Sequence, residues 1–302
     1  MTADSQVPWT PEQWDLVQRL VQDTARRVSV ASAILPITTG TGAPSGYAPV
    51  TRVRNQEGTL SSHDDQTLPL VSLTCLVSLT SSQLTDPGLG TAKQLFAAAA
   101  AHVAQLEDVT VFQGTSGGSQ PANTLGTYSG GYLPQLPVGA ILPNTPCHLR
   151  SREPLEGLVR TPMLGQLVIP IRLPRSPATV VNAIVTAIAQ IEMGGGHGPY
   201  ACVLSPGLFA LVHTPSFGLV TGRDRILPLL GGGELLRSPA LQAYDGVVLG
   251  QGGGSPDLFI GSDISAKFLR LSESGNYMFQ ISEKFVLRIS SSGAQNGWRV
   301  IT

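Results

Sequence analysis

The stretch Thr91 to Gly114, TAKQLFAAAAAHVAQLEDVTVFQG, constrains this chain more than any other. Ala97 to Ala101 are the strongest helix formers, and neither proline nor glycine interrupts before Gly114. Leu95, Ala99, His102, Leu106 and Val109 recur at steps of three and four, the spacing of one helix face. A helix of about 20 residues reaches roughly 30 Å at ~1.5 Å per residue. Thr91 is suited to cap it, because a hydroxyl accepts from the orphan amides of a first turn. The remaining segments must pack around this one spine.

Those segments read as follows. Thr10-Pro11-Glu12-Gln13 is a capping box with proline at the first helical position. Trp14, Val17, Val21 and Val28 then mark the apolar face of an amphipathic helix, closed by Arg26-Arg27 at the negative end of its dipole. Residues 36–68 are poor in bulky apolar side chains, and Tyr47 to Arg54 with a turn at Asn55 to Gly58 predicts a polar two-stranded ribbon. Such ribbons are marginal alone, so this one is expected to lean on a neighbouring subunit. Pro69 to Leu79 alternates strictly, with Leu73, Cys75, Val77 and Leu79 on one buried face. Residues 115–166 read as long loops with one or two short strands. Pro177 to Ile191 predicts a helix ended by Gly194-Gly195-Gly196, Tyr200 to Leu204 a buried strand, and Pro206 to Val212 and Asp224 to Leu230 short helices. Beyond Leu235, five short strands (Val247–Leu249, Asp257–Ile260, Lys267–Leu271, Tyr277–Ile281, Phe285–Ile289) predict an antiparallel meander.

Composition narrows the function. The net charge is −1, so no basic stripe is available to displace counterions from nucleic acid. Charged residues are only 13% of 302, about half the ~25% usual share, which suits either a surface hidden in an assembly or a well-packed monomer with long loops. Cys75, Cys147 and Cys202 form no CxxC pair and no zinc spacing, and fit idle thiols in a reducing compartment. The five histidines show no metal-ligand spacing, so neither metal nor cofactor is expected. Neither a secretory signal nor a membrane-spanning run is read, and a cytoplasmic setting is expected.

Several motifs carry a resemblance. They are Leu68-Pro69-Leu70-Val71-Ser72-Leu73, Glu107-Asp108-Val109-Thr110-Val111-Phe112-Gln113-Gly114, Gly198-Pro199-Tyr200-Ala201-Cys202-Val203-Leu204, Ser238-Pro239-Ala240-Leu241 with Gly246 to Leu249, Asp257 to Ser265, and Glu283 to Ile289. In this order they resemble the encapsulins, the linocin-like shell proteins of bacterial nanocompartments. The resemblance implies an α+β Hong Kong 97 phage capsid-like fold with an extended loop, a peripheral domain and an axial domain. The implied division is 1–35 for the N-terminal helix and arm on the inner face, 36–68 for the extended loop, and 69–114 for the peripheral strand and spine. Residues 115–240 would be the axial domain with an insertion, and 241–302 the peripheral C-terminal strands.

The function it implies is structural rather than enzymatic. The chain would self-assemble into an icosahedral homo-oligomer on the order of sixty copies or more, binding neither nucleic acid nor membrane. It would enclose peroxidase-like or ferritin-like cargo enzymes carrying C-terminal targeting peptides. The implied cargo wall is Trp14, Val17, Val21, Ile34 and Leu35, and the implied five-fold pore loop is His213, Thr214, Pro215, Ser216, Phe217, Gly218, Leu219, Val220, Thr221 and Gly222. The polar residues that many members carry after the first helix are replaced here by Val30-Ala31-Ser32-Ala33-Ile34-Leu35-Pro36, which would suit a more apolar peptide.

Two other readings compete. One is a phage or prophage major capsid protein of the same fold. The other is a serine hydrolase using Gly114-Thr115-Ser116-Gly117-Gly118, with His102 and Asp108 upstream in the right order. A triad needs residues converging from different elements, whereas His102 and Asp108 sit on one predicted helix at a spacing that points them apart.

Overall fold

A computed structural model describes residues 7–40, 46–56, 59–114, 147–151, 153, 155–159, 168–215, 220–242, 244–252, 256–289 and 297–302. The capping box forms as expected. Thr10 Oγ1 accepts from Gln13 N, Gln13 Oε1 accepts from Thr10 N, and α1 runs Pro11–Val28. A short α2 (Ala31–Ile34) and β1 (Ile37–Thr39) follow. The ribbon is β2 (Tyr47–Gln56) against β3 (Thr59–Pro69), a two-stranded antiparallel sheet of its own. Next come β4 (Val71–Leu79), whose inward positions are the expected Leu73, Cys75, Val77 and Leu79, and α3 (Ser81–Leu84).

The spine, α4, runs Gly90–Gln113. Two expectations about it are corrected. Thr91 does not cap it: Leu89 holds the N-cap position in a left-handed conformation, and the Asp86 carboxylate takes the Gly88 and Gly90 amides. Of the face read from the spacing, Ala99 and Val109 are buried and the rest is not. Phe96, Ala100, Val103 and Glu107 are buried, whereas Leu95 is exposed and His102 and Leu106 are half-buried. Among the described residues α4 is also the one helix long and apolar enough to cross a membrane, contrary to the reading that no such segment exists. Here it is the core helix, and the turn before its last carries two buried carboxylates, Glu107 and Asp108.

The later elements are β5 (Cys147–Arg150), β6 (Val168–Ile169), α5 (Pro177–Met193), β7 (Tyr200–Leu204), α6 (Pro206–His213), α7 (Gly222–Ile226), a 3-10 turn Leu227–Leu230, β8 (Leu235–Arg237), β9 (Gly246–Gly250), β10 (Asp257–Leu271), β11 (Tyr277–Arg288) and β12 (Trp298–Ile301). Four of the five short strands of the expected meander are in fact two long ones. Register shifts at Ile260/Ser262, Ser262/Ser265 and Phe268/Arg270 break the alternation of β10 that would have shown its continuity. The fifth, β9, joins another sheet.

One sheet has the order β1-β10-β11-β4-β5, and the second β6-β12-β9-β7-β8. Pairing cuts across the division drawn from the sequence. β5 lies within 115–240 yet pairs with β4, while β9 and β12 lie within 241–302 yet flank β7 and β6. The second sheet is buried on both faces. Ala201, Val203, Val247, Leu249 and Val300 face the core around α1 and α4, and Tyr200, Cys202, Leu204, Val248 and Ile301 face a second core under α5. That two-sided burial explains the uninterrupted apolar runs of β7 and β9.

Buried aromatic rings lock α1 to the first sheet. Trp9 stacks on Phe279 with ring centres 5.1 Å apart and donates from Nε1 to Leu84 O at 3.0 Å. Trp14, Phe96 and Phe268 surround them. At the base of the ribbon, Arg288 pairs with Asp257, donates from Nη1 to Pro49 O at 2.9 Å and lies over Phe259. Arg288→Ala would leave Asp257 with the Thr38 hydroxyl and free the ribbon base. The expected cost is about 1–3 kcal/mol, read as a lower melting temperature with faster proteolysis at the ribbon.

Candidate functional site

The chemistry-bearing groups gather where the end of the spine meets the turn after α1. Asp108 is buried, and its Oδ1 accepts from Val30 N at 2.9 Å, Ala31 N at 2.8 Å and the Ser29 hydroxyl at 3.2 Å. It therefore holds the start of α2 and fixes the bend between α1 and β1. Burial raises its pKa to about 6 against those hydrogen bonds. Its neighbour Glu107 lies close to Glu283 on β11. Burial, then the charges of Glu283 and Asp108, push Glu107 well above the carboxylate range. Burial, then Asp263, raises Glu283 to about 8. Among the described residues, Glu107 Oε1 and Glu283 Oε2 have no hydrogen-bond partner.

Above these two carboxyls opens a cleft of about 310 Å³. Its walls are Ala25, Arg26 and Ser29 of α1, Ile37 and Thr39 of β1, and Ile260 to Ile264 of β10, with Glu107 and Glu283 in its lining. Arg26 and Asp263 face each other at 3.8 Å, both largely exposed. The cleft exists because β1 covers β10 only at Leu258 to Ile260. Further along, Gln18 of α1 takes the place of a strand, exchanging hydrogen bonds with the Ala266 backbone.

The expected cargo wall needs correction. Val17, Val21, Ile34 and Leu35 are at most 4% exposed and pack into the protein's own core. They hold α1 and α2 in place and present nothing to a peptide arriving from outside; Trp14 is half-buried against Trp9 and Phe279. The cleft lies at the next stretch of the same helix, where Arg26 is exposed and the buried Ala25 and Ser29 line its floor.

The hydrolase set does not assemble. Asp108 is committed to three backbone and hydroxyl donors, and Ser116 lies outside the described residues. His102 instead lies beside Cys75 and Cys147, residues that spacing alone did not bring together.

Comparison with known proteins decides the fold. Residues 152–286 match the family described as encapsulating protein for peroxidase. Over 144 residues the chain is 31% identical to the type 1 encapsulin shell protein EncA of Myxococcus xanthus, covering 48% of this chain and 49% of that protein. A second such shell protein, from Mycolicibacterium paratuberculosis, is 31% identical over 100 residues, 32% of this chain and 35% of that one. The chain is thus matched over about half the length of its curated relatives or less. In structure, 96% of it superposes on 100% of the subunit of a virus-like particle from Pyrococcus furiosus, with a TM-score of 0.64 at 14% identity. The capsid of Myoviridae phage XM1 aligns over 91% of both chains with a TM-score of 0.55 at 10% identity.

The chain has the tailed-phage capsid fold. Its sequence relatives are encapsulin shell proteins, so the resemblance read from the motifs and the α+β fold class both hold. The stretch His213 to Gly222 joins two helices. His213 ends α6, its Nδ1 2.7 Å from Phe209 O, and Gly222 begins α7. Between them Pro215 bridges to Thr221, which caps α7 with Asp224. Thr214 and Val220 are exposed; Ser216, Phe217, Gly218 and Leu219 lie outside the described residues.

Proposed function

We propose that this chain is the repeating subunit of a closed icosahedral shell that encloses cargo enzymes. The observation that carries the reading is the end-to-end superposition on the subunit of a virus-like particle, joined to sequence identity with encapsulin shell proteins. A subunit built for closed symmetry repeats the same contacts around every axis. The self-paired ribbon β2–β3 and the low charge content fit that use. Cargo would enter through a targeting peptide laid in the cleft between α1 and β10, apolar along Ile37 and Ile260 and charged at Arg26 and Asp263. The His213 to Gly222 segment would line the five-fold opening. The relatives are structural proteins, consistent with a non-enzymatic role, and the expected setting is the cytoplasm of a bacterium.

A phage or prophage major capsid protein is the second reading, favoured by capsid subunits among the structural neighbours. One experiment addresses both. The purified chain is expected to elute as a particle in size-exclusion chromatography and to show uniform closed shells by negative-stain microscopy. A 31.6 kDa monomer without particles would overturn the shell reading. Shells that co-purify with DNA rather than an enzyme would turn it towards the phage capsid.

A further inference from the structure

We propose that Cys75, His102 and Cys147 form a binding site for a zinc ion, with two thiolates and one imidazole as its protein ligands. The inference is independent of the shell reading, because it rests on a place in the subunit's own core.

Three elements converge there. Cys75 is on β4 and Cys147 lies directly opposite it on β5 in the antiparallel register. His102 comes from the spine packed over that sheet. One ligand atom from each of the three lies within 4.8 Å of the other two. Tetrahedral zinc, with Zn–S of about 2.3 Å and Zn–N of about 2.0–2.1 Å, needs ligand atoms roughly 3.5–4 Å apart. Shifts on the order of 1 Å, within the reach of side-chain rotation, would close the site. Both cysteines are buried and His102 is half-buried, so the imidazole is the ligand nearest solvent.

Charge selects the metal. Two thiolates and a neutral imidazole around a divalent ion sum to zero, which a buried site tolerates. A monovalent copper ion would leave one net negative charge in the core. Oxygen-seeking cations such as magnesium and calcium have no oxygen ligand to take. A disulfide between Cys75 and Cys147 is the competing use of the pair, but it has no role for His102. All three donors sit on a helix and a paired sheet, which hold a ligand set more firmly than loops do. Residues this far apart in sequence leave no spacing motif, which is why cysteine and histidine patterns pointed to no metal.

The test uses the full chain, kept under a reductant that does not bind metal, stripped with a chelator and titrated with Co²⁺. One equivalent per chain is expected to bind with thiolate-to-cobalt charge-transfer absorption that Zn²⁺ then bleaches. Cys147→Ser and His102→Gln should each weaken binding by more than the ~10–100-fold typical of losing an outer-shell partner. Cys202→Ala, in the second core, should change nothing. Zn²⁺ should raise the melting temperature of the parent but not of His102→Gln. Because His102 is half-buried, that variant keeps the test valid if a cysteine variant does not fold. Three results would overturn the site: no cobalt uptake by the parent, uptake unchanged in His102→Gln, or a Cys75–Cys147 disulfide in the protein kept under reductant.

Discussion

Gly157→Ala is expected to prevent the subunit from folding. Residues 155–159 run back along the last turn of the spine, where Leu158 N donates to Val111 O and Val159 N to Phe112 O, each at 2.9 Å. These two carbonyls belong to the final helical turn and have no partner of their own within the helix. A Cβ at position 157 would lie 2.2 Å from Gly114 N, 2.4 Å from Gln113 C and 2.6 Å from Phe112 O. All three are backbone atoms, so no side chain can swing aside. Gly114 is the counterpart: its φ is 74°, and a Cβ there would lie 2.4 Å from Leu155 O. The same turn carries Gln113, whose Nε2 donates to Ala240 O, and Leu158 O accepts from Trp298 Nε1 of β12, so a shift would spread to the second sheet. The expected loss exceeds ~4 kcal/mol, a large part of the ~5–15 kcal/mol that holds a domain together. Soluble yield and thermal melting by circular dichroism check it. Gly88→Ala, in ordinary contact with Asp86 alone, should melt near the parent. A Gly157→Ala protein melting within a few degrees of the parent would show that the close approach does not exist.

Stability is expected to fall as pH rises from about 4.5 to about 8, and Glu283→Gln should remove much of that fall. Glu283 is held at about 8 by burial and then Asp263, and Glu107 is raised well above its ordinary range by burial and then Glu283 and Asp108. A carboxyl whose folded-state pKa is raised binds its proton more tightly in the folded chain. Its contribution is complete below the unfolded value of ~4.3 and is lost as pH climbs to the folded one, since the unfolded chain ionises first. Asp108, at about 6, adds to the loss at the lower end of the window. Arg26 is largely exposed at the cleft mouth, paired with Asp263, and screens little. For Glu283 the effect is on the order of a few kcal/mol. Melting temperatures at pH 4.5, 6 and 8 are the measurement. Glu283→Gln should match the parent at pH 4.5 and exceed it at pH 8. A parent more stable at pH 8 than at pH 4.5, with the variant weakest there, would mean that these carboxyls are charged and paired.

What could be read from residues was the local grammar. The capping box of α1, the alternation of β4 and the glycine stop after α5 are each set by neighbours in sequence. The alanine run fixed the existence of the spine but not its rotation, because five alanines carry no stripe. The spacing therefore marked Leu95 and Leu106, whereas Phe96 and Val103 are the side chains the core encloses. The bulges of β10 hid one long strand as two. The cleft was misplaced for a related reason: the most apolar positions, Val17, Val21, Ile34 and Leu35, serve the fold itself, and what remains exposed at the cleft is the less conspicuous Arg26 with Ile37 and Asp263. Asp108 looked like a catalytic partner because its motif records a charge and not what that charge holds.

The ribbon β2–β3 has a last implication. Among the described residues it is a sheet of two strands, fastened at its base by Arg288. In the proposed shell, neighbouring subunits would supply what the ribbon lacks. The order of this segment then belongs to the population rather than to the single molecule, governed by mass action like any association. A dilute subunit and a subunit in a closed particle would share a core yet differ in this arm, so the total concentration of chains becomes part of what determines the structure.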